Sequence, residues 1–329
     1  MAGNARVIII GGGIAGLSAA KELKQAGIEA LVLERRVVLG GRMSTREFGG
    51  AVFDDGAQFF TVKDQRFGPL VEEMIEAGVI TDWFHSQLIR GGSSNPDGFP
   101  RYCGAKGMRS ILDYMHRQGL SVQVNADVTG FEPRQKSYTV TLKDGQELTA
   151  DAILLAHPVP DAVRMLHNAG LKLTPNDAAA LENVIYTPCI AVMATLEKPS
   201  ALTEWGGLRI NGEYVDWIAD NHRKGISETP SVTIQAMPDF STDHWYDDDD
   251  DVAEMLIGST MPLIRSEPVE ARVVRYELGK PISTHPKEWV AAEKHPRVLL
   301  AGDGFKGYRV EGAAVSGMEA AKELIRQFS

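Results

Sequence analysis

Cysteine is scarce in this chain: Cys103 and Cys189 are the only two in 329 residues. Two distant thiols make neither a disulfide framework nor a spaced metal set, and reduced cytoplasmic thiols are the expected state. Long apolar runs are missing too. Val7–Ile10 falls far short of the roughly 20 residues that span a bilayer, and nothing around it reads as a signal peptide. Positive charge is in deficit, with a formal net charge of −10. That disfavours a nucleic-acid or anionic-membrane surface, and the basic residues form no extended stripe. The eight histidines are scattered, with no HExxH or Cys/His spacing for a metal. Ser110, Ser227 and Ser316 lack a nucleophile-elbow context.

What is abundant is glycine, 33 residues of it, and the densest cluster organises the first forty positions. Arg6–Ile10 (RVIII) is a β-branched run suited to a strand buried on both faces. Gly11-Gly12-Gly13-Ile14-Ala15-Gly16 follows. Gly11 permits the sharp turn, Gly13 lets the backbone approach a pyrophosphate, and Gly16 lets a helix pack on the strands. Unpaired N–H groups and the dipole at that helix start favour phosphate charge. Leu17, Ala20 and Leu23 recur at helical spacing, and Gly27 is a C-cap. Ala30–Leu33 reads as a second strand ending in Glu34. A carboxylate there accepts hydrogen bonds from an adenosine ribose and repels a 2′-phosphate, which argues against NADP. Gly40-Gly41-Arg42 gives a further close approach, and the planar Arg42 fork matches phosphate oxygens. A surface turn with an exposed arginine is the simpler alternative.

Further along, Phe53–Thr61 holds Asp54-Asp55-Gly56-Ala57-Gln58-Phe59-Phe60. Gln58 supplies a donor and an acceptor, and the two phenylalanines are expected on opposite faces of a strand. Adjacent Asp54 and Asp55 face apart and make no catalytic dyad. Arg66–Ala77 and Met108–Met115 have helical spacing, and Gly91–Pro100 is a polar loop. Gly107 and Met108 mark either a close approach to a ligand or a plain helix start. Val122–Ala126, Val128–Phe131, Tyr138–Leu142 with Glu147–Leu148, and Asp151–His157 read as strands. Strands over 185–196, 205–210, 214–219 and 231–237 suggest an antiparallel second domain. In Asp216–Asn221, Trp217 can stack on a flat ligand and Asn221 can position it; core packing and a turn cap are the competing roles. Asp247–Asp251 lacks the spacing of a calcium loop and suits a solvated helix start. Arg272, Arg275 and Tyr276 can face a substrate opening, with polar surface the simpler alternative for the two arginines.

A second informative stretch lies near the end. Arg297–Ala301 is a strand followed by Gly302-Asp303, beyond its carboxyl end, where an α/β crevice binds ligands. Asp303 can bond a ribityl hydroxyl. A helix from Gly312 to Ile325, with small Gly312 and Ala313 at its start, can approach an isoalloxazine ring and favour negative charge at flavin N1 and O2. An FAD molecule accounts for both the first turn and this later one.

GGGIAGLSAA, Glu34 and GGRMST resemble the FAD-dependent amine oxidase superfamily. GAQFFTVKDQRF, DWIADNHRKG and AGDGFKGYRVEGAAVSGMEAAKEL are similar to bacterial renalase-like flavoproteins. The resemblance covers nearly the whole chain. It implies an α/β (α+β overall) fold of p-hydroxybenzoate-hydroxylase-like topology, with an FAD-binding Rossmann-like domain (residues 1–60, 104–160 and 296–329) and an interleaved antiparallel-sheet substrate domain (61–103 and 161–295). FAD is expected to be noncovalent, since no cysteine lies in the C-terminal motif. Its expected contacts are Gly11, Gly13, Ala15, Gly16, Glu34, Arg35, Gly41, Arg42, Gly56, Ala57, Val128, Gly302, Asp303, Glu311, Gly312 and Ala313. Gln58, Trp217 and Asn221 are expected to position substrate. The resemblance also implies oxidation of 2-dihydro and 6-dihydro isomers of NAD(P)H, with hydride passing to flavin N5 and electrons to O2, giving NAD(P)+ and H2O2. An amine or cyclic-imine oxidase, or a non-enzymatic FAD-binding redox or interaction protein, are the alternatives. Nucleic acid, metal and stable membrane partners are not expected.

Overall fold

The run Val7–Ile10 becomes part of the central strand of a sheet, as its β-branched, uncharged character requires. In the computed structural model, which describes residues 4–85, 87–88, 94–95, 98–210 and 212–329, β1 (Asn4–Ile10) is followed by helix α1 (Ile14–Gln25) and strand β2 (Ala30–Leu33). β1 pairs in parallel with β2 on one side, Val7 opposite Ala30, and with strand Glu147–Leu155 on the other, Val7 opposite Ala152. Val7, Ile8 and Ile9 are therefore buried on both faces. This sheet has eight strands among the described residues.

Strand Glu147–Leu155 changes partner along its length. Tyr138–Thr141 pairs antiparallel with its first half, through Ala150, and Val298–Leu300 pairs in parallel with Ile153–Leu155. The sequence suggests two separate strands here, Glu147–Leu148 and Asp151–His157; the ladder runs through Thr149 and Ala150 between them. Helix Arg309–Phe328 belongs to the same unit and crosses α1 closely. A Cβ on Gly317 would stand 2.0 Å from the Ala15 carbonyl oxygen.

The chain divides into two compact units, one of residues 1–41, 112–185 and 281–329, the other of 42–111 and 186–280. These limits differ from those expected of the sequence at 42–60, 104–111, 161–185 and 281–295. The reason is local bonding. Hairpin Thr45–Asp54 joins the second unit, where Thr229 Oγ1 donates to the Gly50 carbonyl (2.8 Å). Residues 161–185 stay with the first, where Ile282 N donates to the Ile185 carbonyl (2.9 Å) and Glu293 N to that of Lys172 (2.8 Å).

The second unit is built on a sheet of five strands among the described residues, ordered Gly207–Arg209, Val215–Asp220, Ser231–Ala236, Tyr186–Leu196, Pro268–Pro281. Helix Asp249–Ile264 covers it, with Val252, Leu256, Ile257 and Ile264 packed against Ile190, Val192, Ile218 and Ile234. Each such side chain contributes about 1.5–3 kcal/mol of burial. The acidic run is the start of this helix: Asp248 is its N-cap and accepts from Asp250 N (2.9 Å). Carboxylates there complement the helix dipole. Phe59 and Phe60 diverge without forming a strand: Phe60 packs on Phe67 and Tyr102, and Phe59 on Trp83, Phe84 and Trp217. Much of the expected loop at residues 91–100 lies outside the described residues.

Candidate functional site

In the first unit the glycine turn has the geometry its sequence requires. Gly11 sits at φ 120°, and a Cβ on it would meet the Ala156 carbonyl at 2.8 Å. A Cβ on Gly16 would meet the Gly11 carbonyl at 2.0 Å, so this glycine is what lets α1 lie against the turn. Gly13 is different. It caps α1 in extended conformation, and a Cβ on it would meet nothing within 4 Å. Its bare backbone faces open space beside the unpaired N–H groups of α1, which is what a pyrophosphate needs.

Glu34 is buried and aimed at this turn. Its Oε2 accepts from Gly12 N (2.9 Å) and its Oε1 from Arg36 N (2.9 Å). The two bonds fix the carboxylate plane, and each oxygen keeps a further lone pair for a diol. Gly41, at φ 57°, leads into the short 3₁₀ turn Gly41–Met43, and Arg36 Nη1 reaches its carbonyl (3.3 Å). Arg35 is exposed and Val128 half-buried at the start of strand Val128–Pro133.

The C-terminal motif differs from its expected geometry in two respects. Its helix starts at Arg309, three residues early, so its unpaired N–H groups belong to residues around Arg309–Glu311. Gly312 is then inside the helix, and a Cβ there would meet the Gly307 carbonyl at 1.3 Å. Its small size serves the folding-back of loop 302–307. Ala313 is buried behind it. Gly302 turns at φ 141°, and Ser316 Oγ accepts from its N–H (2.8 Å) while donating to the Glu288 carbonyl (2.5 Å). Asp303 follows, half-buried.

His157 was not singled out by sequence. It follows strand Glu147–Leu155 at the carboxyl edge, beside Gly11, whose Cβ would lie 3.3 Å from its backbone nitrogen. Its Nδ1 is 3.2 Å from the Ile10 carbonyl, so the neutral ring carries its proton on Nδ1. Nε2 is buried with no partner among the described residues. Burial holds this imidazole below its ordinary pKa, against the opposing pull of the Ile10 carbonyl and Asp161.

In the second unit, the three expected substrate residues are buried: Gln58 is 4% exposed, Trp217 2% and Asn221 0%. Gln58 and Asn221 belong to a connected polar network. Gln58 Nε2 donates to the carbonyls of Asp54 (2.5 Å) and Gly56 (3.1 Å). Asn221 Nδ2 donates to Thr233 Oγ1 (3.1 Å), which donates to the Asp54 carbonyl (3.1 Å). Gln58 is thereby a brace for its own turn. Gly56 is glycine because a Cβ would meet the Arg42 carbonyl at 2.1 Å, and Ala57 N donates to that same oxygen (2.8 Å). Trp217 lies among aromatic rings, 5.4 Å from Phe59 and stacked on Phe84 at 6.3 Å. Its Nε1 and the Oδ1 of Asn221 are buried without hydrogen-bond partners among the described residues.

The centre of that network is an ion pair that the sequence does not announce. Lys224 and Asp54 side chains are both 0% exposed, with Nζ 2.7 Å from Oδ2. Nζ also donates to the Gln58 carbonyl (2.6 Å) and stands 4.8 Å over the Trp83 ring. Asp54 Oδ1 accepts from Thr45 Oγ1 (2.6 Å) and Met108 N (2.7 Å). Gly107 and Met108 thus approach Asp54. Asp55 turns the other way, to Ser44 and Arg46. Tyr276 OH is 2.7 Å from Ser44 Oγ, and its phenol is pushed up to about 12, by burial first and the Asp55 charge second. Arg42 Nη1 donates to the Leu278 carbonyl (3.2 Å), with its guanidinium over the Tyr186 ring. Arg275 pairs with Asp249 at the acidic helix start. Among the described residues no cluster of three His, Cys, Asp or Glu is placed to hold a metal, and no helix is long and apolar enough to cross a membrane.

A model of flavin containing amine oxidoreductases matches residues 78–325, and one of NAD(P)-binding Rossmann-like domains matches 9–74. The chain belongs to the flavin-containing amine oxidoreductase family. Polyamine oxidase 7 of Oryza sativa subsp. japonica is 43% identical over 70 residues, 21% of this chain and 15% of that protein. The 1-hydroxycarotenoid 3,4-desaturase of Flavobacterium sp. (strain P99-3) is 46% identical over 57 residues, 17% of this chain and 12% of that protein. The chain therefore matches only a small part of the length of these curated relatives. Wild-type putrescine oxidase bound to putrescine superposes with a TM-score of 0.70 at 15% identity, over 98% of this chain and 99% of that one; this is a likeness of fold. The family's two-domain α/β architecture is the one described above, and FAD, held noncovalently, is its cofactor. The residues fit it: Gly13 leaves open room beside free helix N–H groups, and Glu34 is held with spare lone pairs.

Proposed function

We propose that this flavin-containing amine oxidoreductase is an oxidase that removes hydride from a carbon bonded to nitrogen, with amines or cyclic imines as the first substrate class. The observation that carries this reading is the match over residues 78–325, which takes in residues 78–111 and 186–280 of the second unit and the aromatic rings Trp83, Phe84 and Trp217. FAD, when bound, would supply a hydride-accepting ring that O2 can reoxidise to give hydrogen peroxide. In the substrate, the C–H pair leaves as hydride and a C=N bond forms, giving an iminium; water then hydrolyses it to an aldehyde or ketone and the ammonium or amine that carried the nitrogen. No protein base is needed to hold the proton if the amine binds neutral.

On the cofactor side, Gly11, Gly13, Ala15 and Gly16 cradle the pyrophosphate, with Arg42 as its guanidinium. Glu34 accepts from the adenosine ribose, and Asp303 from the ribityl chain. Arg35, Gly41, Gly56, Ala57, Val128, Gly302, Glu311, Gly312 and Ala313 complete the proposed cofactor set. Gln58 is proposed to act through the turn it braces, and Trp217 and Asn221 to position substrate.

A second reading, the renalase-like oxidation of 2-dihydro and 6-dihydro NAD(P)H, is favoured by one observation. Trp217 Nε1 is an unpaired donor and Asn221 Oδ1 an unpaired acceptor, both buried and close in sequence. A carboxamide on a flat ring complements that pair, with its oxygen for the indole and its NH2 for the amide. The two cysteines, both free, support a cytoplasmic location. Anaerobic mixing of the holoprotein with an amine panel and with each dihydronicotinamide isomer separates the readings. Amines that bleach the flavin and yield aldehyde sustain the first. Bleaching by the nicotinamide isomers alone overturns it for the second.

A further inference from the structure

The loop that carries Asp303 is held from behind by a second loop. His285 N donates to the Gly304 carbonyl (2.8 Å), and Lys306 N to the Lys287 carbonyl (2.9 Å). The His285 ring packs against Phe305, centroids 5.7 Å apart. Asp303 thus directly precedes residues whose backbone this segment fixes. The imidazole itself is 1% exposed, and its Nδ1 accepts from Lys287 N (3.1 Å). An accepting Nδ1 puts the proton of the neutral ring on Nε2. Nε2 lies 3.3 Å from Asp177 Oδ1, an ion-pair distance without hydrogen-bond alignment. Asp177, on helix Pro175–Glu182, is itself anchored by Lys287 Nζ (2.6 Å) and Thr174 Oγ1 (2.9 Å).

We propose that His285, braced by Asp177, is a positioning residue for the flavin-side loop 302–307, and that a proton on its ring loosens FAD. A protonated Nδ1 would point N–H at the Lys287 N–H, two donors with no acceptor between them. The segment must then shift, and the Gly304 and Lys306 bonds shift with it. The charged groups that face the ring are Asp177 from the helix and Lys287 from its own segment; the flavin-side loop offers Phe305 and backbone. Asp177 favours the charged ring, but burial outweighs it and keeps His285 below its ordinary pKa. The set loop thus disfavours the proton, and by linkage the proton disfavours whatever needs the set loop.

This rests on FAD as the cofactor. The test measures flavin released from holoprotein, by its fluorescence, as a function of pH. Wild type is expected to bind FAD about tenfold more weakly near pH 5.5 than near pH 7.5. His285→Asn keeps an acceptor for the Lys287 N–H but takes no proton, so its affinity should stay near the neutral-pH value across the range. His285→Phe keeps the ring contact but lacks the acceptor, and should bind weakly at both pH values. An acid loss in His285→Asn equal to that of wild type overturns the proposal. If that variant does not fold, Asp177→Asn decides: removing the charge that favours the protonated ring should move FAD release to lower pH, and an unchanged midpoint overturns it. A wild-type protein that holds FAD equally at every pH sinks this proposal alone, whereas one that holds none at any pH sinks the cofactor assignment too.

Discussion

Two glycines three residues apart illustrate how much a single missing Cβ can decide. Gly16 is a packing glycine, whose added carbon would meet backbone, whereas a carbon added to Gly13 would meet nothing, as the proposed pyrophosphate contact requires. Gly16→Ala should destabilise the protein by about 2 kcal/mol or more, read as a lowered denaturation midpoint, because the new carbon meets backbone. Gly13→Ala should leave the midpoint of the FAD-free protein unchanged and weaken FAD binding in titration, since its carbon fills only the open side. Glu34→Gln tests the neighbouring carboxylate. An amide there presents an NH2 to either Gly12 N–H or Arg36 N–H, so FAD should bind at least about tenfold more weakly, corresponding to about 1.5–3 kcal/mol. The turn, helix start and strand end were legible because they lie within thirty positions of one another. Lys224 was not. Its partner Asp54 lies 170 positions away, and a lysine after a turn ordinarily means solvent.

Elements were legible where hydrophobic period and turn chemistry agree, as in β1, α1 and strand Tyr138–Leu142. They were misread where tertiary pairing overrides local pattern. Strand Glu147–Leu155 reads as two because polar Thr149 breaks its apolar pattern, whereas in the fold one continuous strand serves different partners with its two halves. Helix Arg309–Phe328 starts before its glycine because Gly312 is spent on the contact with Gly307. The Lys224–Asp54 pair acts at this scale too, joining the Thr45–Asp54 hairpin, the Gln58 turn and the turn after Val215–Asp220. Lys224→Met should leave a buried carboxylate unpaired and cost about 3–5 kcal/mol by chemical denaturation. Adding Asp54→Asn should recover part of that loss. A double variant no more stable than Lys224→Met would show that the charge is not what matters.

For the molecule as a whole, the fold class and the cofactor followed from the two ends of the sequence, while the division into units did not. Hairpin Thr45–Asp54 adjoins the glycine motif in sequence but bonds to Thr229 and Thr233, which spacing along the chain does not reveal. Stability against acid is also a property of the whole. His157 and His285 are both held below the ordinary imidazole pKa, by burial first. The unfolded chain therefore binds more protons than the folded one below about pH 6.5. Their contribution should be complete above that pH and decline as pH falls towards the folded values. The thermal midpoint of the protein should drop across that window, and His157→Asn with His285→Asn should flatten the slope.

The partner exchange along strand Glu147–Leu155 also sets an order of events during synthesis. β1 emerges first, yet the strand it needs on one side arrives some 140 residues later, and that strand's own parallel neighbour follows only at Val298–Leu300. Until then the hairpin Val128–Leu142 can close on nearby residues, while the apolar edge at Ile153–Leu155 stays open. A nascent chain stalled between these points would expose an unpaired edge of high β-propensity. Slow translation of the middle of this chain should therefore lower its soluble yield more than slow translation of its last thirty residues.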